Sequence, residues 1–540
     1  MASQHPNDSS DKLQAELTNN EVLSIAASQA SDEQRTLWQN VKKYRKVVGY
    51  TFCITSAILL YGYDNVVVGT VSAMPIFQKD FGVENPDWHK GSRSDPRYIL
   101  PSDWLALWNV SSPIGAMIGS ILGAWLQDRI GRRRALAISS FLSAVAVAIM
   151  YVSYLPADVN GRRGCFFAGK FAQGAAIGAV MAAAQTYMSE ILPPSLRGPG
   201  MAFFPVFTLL GQLTGALVIY GALDQTNGYA VVFGSQWPFS FVPIIISFIV
   251  PESPTWLVRK RLVDQALVAQ TRLDPPGTDS KGTVNKIQAD IEHEESNSGA
   301  TFMECFHKRN FRRTFIVMWA NSMPAIFGLQ LLAKASYFLQ LVGMKPNTSI
   351  IFLILGIVLG LLANAASIYV MSRIGRRPLM ISTLLIASLL WMTMGIANCF
   401  KLVPAVTNWT AAAMMITIVV CGVGVWPCSF AVAAETSSLQ LRSKAQGIGW
   451  TISAFTSAVA GIALPYIFNP DQGNLRGKVG FTYVGSCLLA AIITWFIVPE
   501  MKGRTVADID RMFELNLPAR QFKNWKASER QGSGDQQPWV

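Results

Sequence analysis

Charge is scarce in this chain: 14% of its 540 residues are Asp, Glu, Lys or Arg, where a soluble domain carries about 25%. So little charge cannot cover a body of this size against water, which argues against a secreted domain, a nucleic-acid-binding protein or an ordinary cytosolic enzyme. Histidine is scarcer still, with four residues at 5, 89, 293 and 307. The seven cysteines, at 53, 165, 305, 399, 421, 428 and 487, show neither pairing nor metal-ligand spacing. Most sit inside apolar runs and read as small packing residues. No phosphate-binding loop, paired-carboxylate hydrolase site or zinc spacing occurs. The sequence therefore offers no support for catalysis, for ATP-driven work, or for a metal or other cofactor. The first 47 residues lack the basic, apolar and small-residue pattern of a cleaved signal. The first apolar run is thus expected to target the chain itself, behind a disordered cytoplasmic tail at 1–47.

What the chain has instead is apolar length. A helix needs about 20 apolar residues to cross the hydrocarbon, and such runs recur at 48–73, 104–126, 135–155, 164–189, 199–222, 235–251, 314–341, 350–371, 378–398, 409–434, 445–468 and 480–498. The sixth is the weakest, because Gln236, Trp237 and Pro238 open it. Charge crowds into 1–47, 252–313 and 500–540. The expectation is an all-α membrane protein of twelve spans, with six-helix bundles at 48–251 and 314–499, a cytoplasmic linker at 252–313 and a cytoplasmic C-terminal tail at 500–540.

Short loops rich in Lys and Arg stay on the cytoplasmic side. Gln127–Arg134 (QDRIGRRR), Arg373–Arg377 (RIGRR) and the basic linker mark that side, so both termini are expected inside, and the net charge of +12 reads as cytoplasmic loops. Arg162-Arg163 is the exception, in a loop placed outside. The sequons at Asn347 and Asn408 fall in loops that this topology puts outside, where glycosylation is possible.

The two halves repeat each other. Asp128-Arg129-Ile130-Gly131-Arg132-Arg133 recurs 244 positions later as Ser372-Arg373-Ile374-Gly375-Arg376-Arg377, Glu190 with Arg197 recurs 245 later as Glu435 with Arg442, and Pro251-Glu252 recurs 248 later as Pro499-Glu500. Six spans is an even number, so the repeats are parallel, related by an axis along the membrane normal, as in transporters that rock two bundles about a midplane site. Carboxylate and guanidinium groups at these span ends can pair with bidentate geometry. They read as a cytoplasmic gate that holds the inner ends together when a cavity faces out.

These motifs carry a resemblance. Gly62-Tyr63-Asp64, the Asp128 turn, Tyr187-Met188-Ser189-Glu190, Pro251-Glu252-Ser253-Pro254-Thr255-Trp256-Leu257, Arg376-Arg377-Pro378 and Pro499-Glu500-Met501-Lys502-Gly503-Arg504-Thr505 resemble the sugar porters of the major facilitator superfamily. Pro465-Tyr466-Ile467-Phe468-Asn469-Pro470, followed by Gly477-Lys478 and Gly480-Phe481, is similar to the fungal maltose/α-glucoside:proton symporters. The resemblance spans about 48–515. It implies a proton-coupled transporter of a small polar solute, taken up by alternating access, monomeric and in the plasma membrane.

Away from the span ends only Asp64, Lys170 and Lys334 are charged inside the apolar runs. An ionisable group in hydrocarbon is a functional candidate by default. At about 1.5 Å per residue they lie roughly 9–14 Å from the outer span ends, so all three can share one level. No histidine falls in a span, which leaves a carboxylate as the proton carrier. The resemblance implies that Asp64 is the protonation site and that its partner is an arginine on span 4, where this chain has Lys170. Gln212, Gln330, Lys334, Tyr337 and Trp426 are the candidate substrate contacts. Span 7 departs from the α-glucoside pattern at Pro324 and Ala333-Lys334, and span 11 has Trp450-Thr451 in place of the family's Arg-Asn. Losing groups that hydrogen-bond hydroxyls argues against maltose. Lys334 either faces the cavity and favours an anionic or phenolic metabolite, whether imported or exported, or snorkels outward. A non-transporting nutrient sensor is the remaining reading, weakened by the short C-terminal tail.

Overall fold

The computed structural model describes residues 37–84, 98–276, 278–296, 302–400, 403–437, 441–502, 504, 506–523 and 525; the two extreme tails lie outside them. The described chain is almost entirely helical, apart from a two-residue antiparallel ladder joining Val83–Glu84 to Tyr98–Ile99. Spans 1 to 6 are Arg45–Val71, Ser102–Ile130, Arg132–Tyr151, Val159–Ile191, Pro194–Ala222 and Trp237–Ile249. In the second half, span 8 is Pro346–Ile374, span 9 Arg376–Ala397, span 11 Arg442–Phe468 and span 12 Gly480–Ile497. Ten helices among the described residues are long and apolar enough to cross a membrane. The fifth span adds a shorter apolar stretch, Val206–Ala222, and the seventh is divided into pieces.

Spans 7 and 10 are where the helices depart from the continuous runs expected. Span 7 is built from Lys308–Ile326, Leu329–Ala333 and Ala335–Leu341. Gly328 is left-handed at φ 97°, a conformation open to a residue without Cβ, and Lys334 forms the second joint at φ −109°, ψ 19°. Span 10 divides at Gly424 into Pro404–Val423 and Val425–Thr436, where a Cβ would run into the Thr383 side chain of span 9. Apolar composition continues across all three joints, so hydropathy reads each span as one helix.

Small residues set the close packing. Gly115, Gly119 and Gly123 of span 2 lie against the backbone of span 4 around Phe171, Ala175 and Ala179, while Gly174 and Gly178 lie against Ser112 and Ala116. Helices in lipid gain by this interlocking of backbones. Gly62 and Gly211 seat span 1 on span 5 in the same way. The result carries Asp64, Ser112 and Lys170, from three helices, to one point.

The connecting segment is structured, which its polarity hides. Helices Pro254–Arg259, Val263–Leu273 and Ser280–Ser296 enclose a small core of Leu257, Val258, Ala266, Ala269, Val284 and Ile291. After span 12, Phe513 and Phe522 meet the guanidinium of Arg312 at 5.3 and 5.8 Å, tying the helix Val506–Glu514 to the start of span 7.

Candidate functional site

Lys170 and Asp64 form a closed ion pair inside the first bundle. The Lys170 ammonium donates to Asp64 Oδ1 at 2.6 Å, and Ser112 donates to Oδ2 at 2.7 Å. Asp64 is 4% exposed and Lys170 is fully buried. Removing either partner would strand a charge in a dry site, which costs about 3–5 kcal/mol. Both carboxylate oxygens are therefore committed. Ser112 was not anticipated; a serine one turn from a packing glycine carries no signal of its own.

Lys334 stands apart from that pair. It is 9% exposed, and its stem runs along Gly69 of span 1. Gln212, Gln330 and Trp426 are half-buried on spans 5, 7 and 10. Tyr337 is otherwise employed. Its hydroxyl donates to Asn469 Oδ1 at 3.1 Å and accepts from the Leu100 amide at 3.4 Å.

That tyrosine belongs to a latch between the bundles, at the end opposite the arginine-rich turns. Asn469 donates to the Leu100 carbonyl at 2.8 Å, Gln340 to the Ala73 carbonyl at 2.7 Å, and Ser336 to the Gly69 carbonyl at 3.2 Å. Asp471 accepts from the backbone amide of Ser102 at 2.7 Å and from its hydroxyl at 2.5 Å. A carboxylate from one bundle thus caps the N-terminus of span 2 in the other, where Pro101 has no capping group. Asp471→Ala is expected to cost the closed latch about 1 kcal/mol and to raise the latch-open population about fivefold. The rate at which Asn109→Cys, which packs on Gly461 across the interface, is labelled from the latch side should rise in proportion. Equal labelling with and without Asp471 would refute the latch.

At the arginine-rich end, the charge clusters close within each bundle. Arg132 holds Glu190 through two nitrogens at 2.8–3.2 Å, reaches Asp128 at 3.2 Å, and gives its backbone amide to Glu252 at 2.9 Å. The second half repeats the plan with Arg376 on Glu435 at 2.8 Å and the amides of Arg376 and Arg377 on Glu500. Gly131 at φ 99° and Gly375 at φ 101° let the amides turn onto those carboxylates, leaving no room for a Cβ. Arg129 and Arg373 stack on Trp125 and Tyr369, and Arg133 donates to the Phe248 carbonyl. The side chains of Arg197 and Arg442 lie outside the described residues.

The two clusters are unequal. Arg132 is 4% exposed and doubly held, whereas the Arg376 Nε and Glu435 Oε2 atoms are buried without partners among the described residues. Arg132→Ala is therefore expected to destabilise by about 3 kcal/mol or more and to slow turnover more than Arg376→Ala. Thermal unfolding and initial rates of the two variants test this, and equal effects would contradict the asymmetry.

Two bundles, a buried ion pair between spans 1 and 4 and paired charge clusters at one end define a transporter of the major facilitator fold. The chain matches the family "Sugar (and other) transporter" over residues 50–513, and it belongs to that family. It is 30% identical to the MFS transporter fmqE of Aspergillus fumigatus, covering 93% of this chain and 94% of that protein. It is 26% identical to the maltose permease MAL61 of Saccharomyces cerevisiae, covering 96% and 84%. Among solved structures, the inward open xylose transporter XylE from E. coli superposes with a TM-score of 0.68 at 21% identity, covering 86% of this chain and 99% of that one. The protein is thus an integral membrane transporter rather than an enzyme.

Proposed function

We propose that the protein is a proton-coupled secondary transporter that imports a sugar or sugar-like polar organic solute by alternating access. It acts as a monomer in the plasma membrane, with both termini and the arginine-rich turns on the cytoplasmic side. The observation that carries this reading is the buried Asp64–Lys170 pair. A proton on Asp64 removes the charge that holds Lys170, and a deprotonated Asp64 restores it. Proton occupancy can therefore be linked to the packing of spans 1, 2 and 4. Relatives that bear permease names and a relative in fold named as a proton:xylose symporter support the same reading. With the latch closed outside, this conformation faces the cytoplasm. In the opposite state the latch parts and the inner ends, with their charge clusters, approach each other.

On this topology Asn347 and Asn408 are external, and both are exposed. They lie in the opening turns of spans 8 and 10 rather than in the loops expected, because Pro346 and Pro404 start those helices early.

A second reading concerns the cargo alone: Lys334 favours an anionic or phenolic solute over a neutral sugar. The observation behind it is that Asp64 is fully engaged by Lys170 and Ser112, leaving Lys334 without a counter-charge among the described residues. One experiment tests both readings. Sugars, organic acids and aromatic metabolites are offered to proteoliposomes with an imposed pH gradient. Accumulation that collapses with a protonophore is expected for one of these classes. Solute entry indifferent to the gradient would sink the coupling.

A further inference from the structure

Transport as described leaves one group of buried side chains unused. Ser143 of span 3 meets Gln173 of span 4 and Ser240 of span 6, with Ser139 and Ser140 one turn before Ser143 and Gln236 one turn before Ser240. Ser143 donates to Gln173 Oε1 at 3.0 Å and lies 3.0 Å from Ser240 Oγ. Each of the six residues is 0–1% exposed. Gln173 Nε2, both amide atoms of Gln236, Ser139 Oγ and Ser140 Oγ are nevertheless enclosed without a hydrogen-bond partner among the described residues. Each such group costs about 1–3 kcal/mol if left unsatisfied, and hydrocarbon outside the bundle offers no remedy.

Spacing ties this seam to the ion pair. Gln173 lies one turn from Lys170 on the same helix face, as Gln236 does from Ser240. Ser235, beside Gln236, sits 2.6 Å from the hydroxyl of Tyr63, the neighbour of Asp64. The seam is peculiar to the first half: the 244-residue offset puts Ala387 where Ser143 stands.

We infer that the seam binds a cluster of internal water molecules, and that these waters take over the Lys170 ammonium when Asp64 accepts a proton. A water held by Gln173 Nε2 and Gln236 Oε1 has the two or more polar partners that buried water needs, and keeps an acceptor lone pair for the ammonium. Without it, protonation of Asp64 would leave an uncompensated cation in a dry site. The proposal rests on Asp64 as the proton carrier. The titratable neighbours of Asp64 on span 1 are Tyr61 and Tyr63; spans 2, 3, 5 and 6 carry no Asp, Glu, His, Lys or Arg between their ends, and span 7 carries Lys334.

Gln173→Leu and Gln236→Leu in the full chain test it through the pH dependence of uptake in proteoliposomes. A dry seam makes proton uptake harder, so the pH of half-maximal rate is expected to move about one unit to acid. Gln236→Asn should keep the wild-type midpoint. A purely structural role would lower the unfolding temperature without moving the midpoint. The second readout is a wild-type structure at a resolution that shows ordered water, where density should bridge Gln173 and Gln236. Direct amide-to-amide bonding there, or leucine variants with unmoved midpoints, would overturn the inference. Uphill accumulation surviving in Asp64→Asn would instead remove the coupling role of Asp64 and leave the water site standing.

Discussion

Asp64→Asn is expected to abolish uphill accumulation, so that cargo only equilibrates across the membrane, while exchange of labelled for unlabelled cargo stays measurable. The amide keeps the shape of the carboxylate and can still accept from Ser112, so spans 1 and 2 remain joined. What it lacks is a charge that a proton can remove. Lys170, fully buried, then has no counter-charge in any state. That stranded ammonium should lower stability by about 3–5 kcal/mol. Asp64→Asn with Lys170→Met removes both charges and is expected to recover much of the stability without any coupling. Counterflow with a lumenal pH dye separates the two effects. Concentrative uptake with wild-type lumenal acidification in the single variant would rule out Asp64 as the proton carrier.

The second large effect is expected at Lys334. Asp64 has one oxygen on Lys170 and the other on Ser112, so it is not available to neutralise a second ammonium. The closed latch, through Ser336 on Gly69 and Gln340 on Ala73, begins two residues beyond Lys334 on the same span. A negatively charged or phenolic cargo would supply the missing charge. Lys334→Met should then weaken the native cargo by about 1.5–3 kcal/mol, the worth of a charge-assisted hydrogen bond, or roughly 10–100-fold in affinity. Lys334→Tyr, which replaces the ammonium by a neutral hydroxyl, should weaken the native cargo too and raise affinity for an α-glucoside. Competition assays with both variants decide the matter. Unchanged selectivity, together with a cysteine at 334 that labels only from the outer bulk solvent, would leave Lys334 as a snorkelling residue.

The limits of one-dimensional reading show at particular residues. Asp64, Lys170 and Lys334 stood out in the sequence because charge is rare within the spans, and the family resemblance implied which lysine is the partner of Asp64. Ser112 did not, because serine is common in membrane helices and its partner depends on which face a glycine stripe presses against span 4. Tyr337 read as a substrate contact; the structure bonds its hydroxyl to Asn469 and to the Leu100 amide, partners that sequence spacing does not reveal. The linker read as polar connection because its apolar residues are few and their spacing short, yet they suffice for a small core of three helices.

By itself the sequence determined what hydropathy and repetition can encode. Apolar length compelled helices, since backbone groups in lipid must bond within their own segment. The steady offset of the Asp-Arg-Gly-Arg motifs compelled two like halves. Tertiary structure decided everything that depends on which helix faces meet. It closed Arg132 onto Glu190 and Arg376 onto Glu435 within separate bundles, set Asp471 as a cap on span 2, and buried the amides of Gln173 and Gln236 with atoms that lack a partner among the described residues. Those outcomes turn on which helix faces meet, and the joints at Gly328, Lys334 and Gly424 show the same limit, since apolar composition is alike on either side of each.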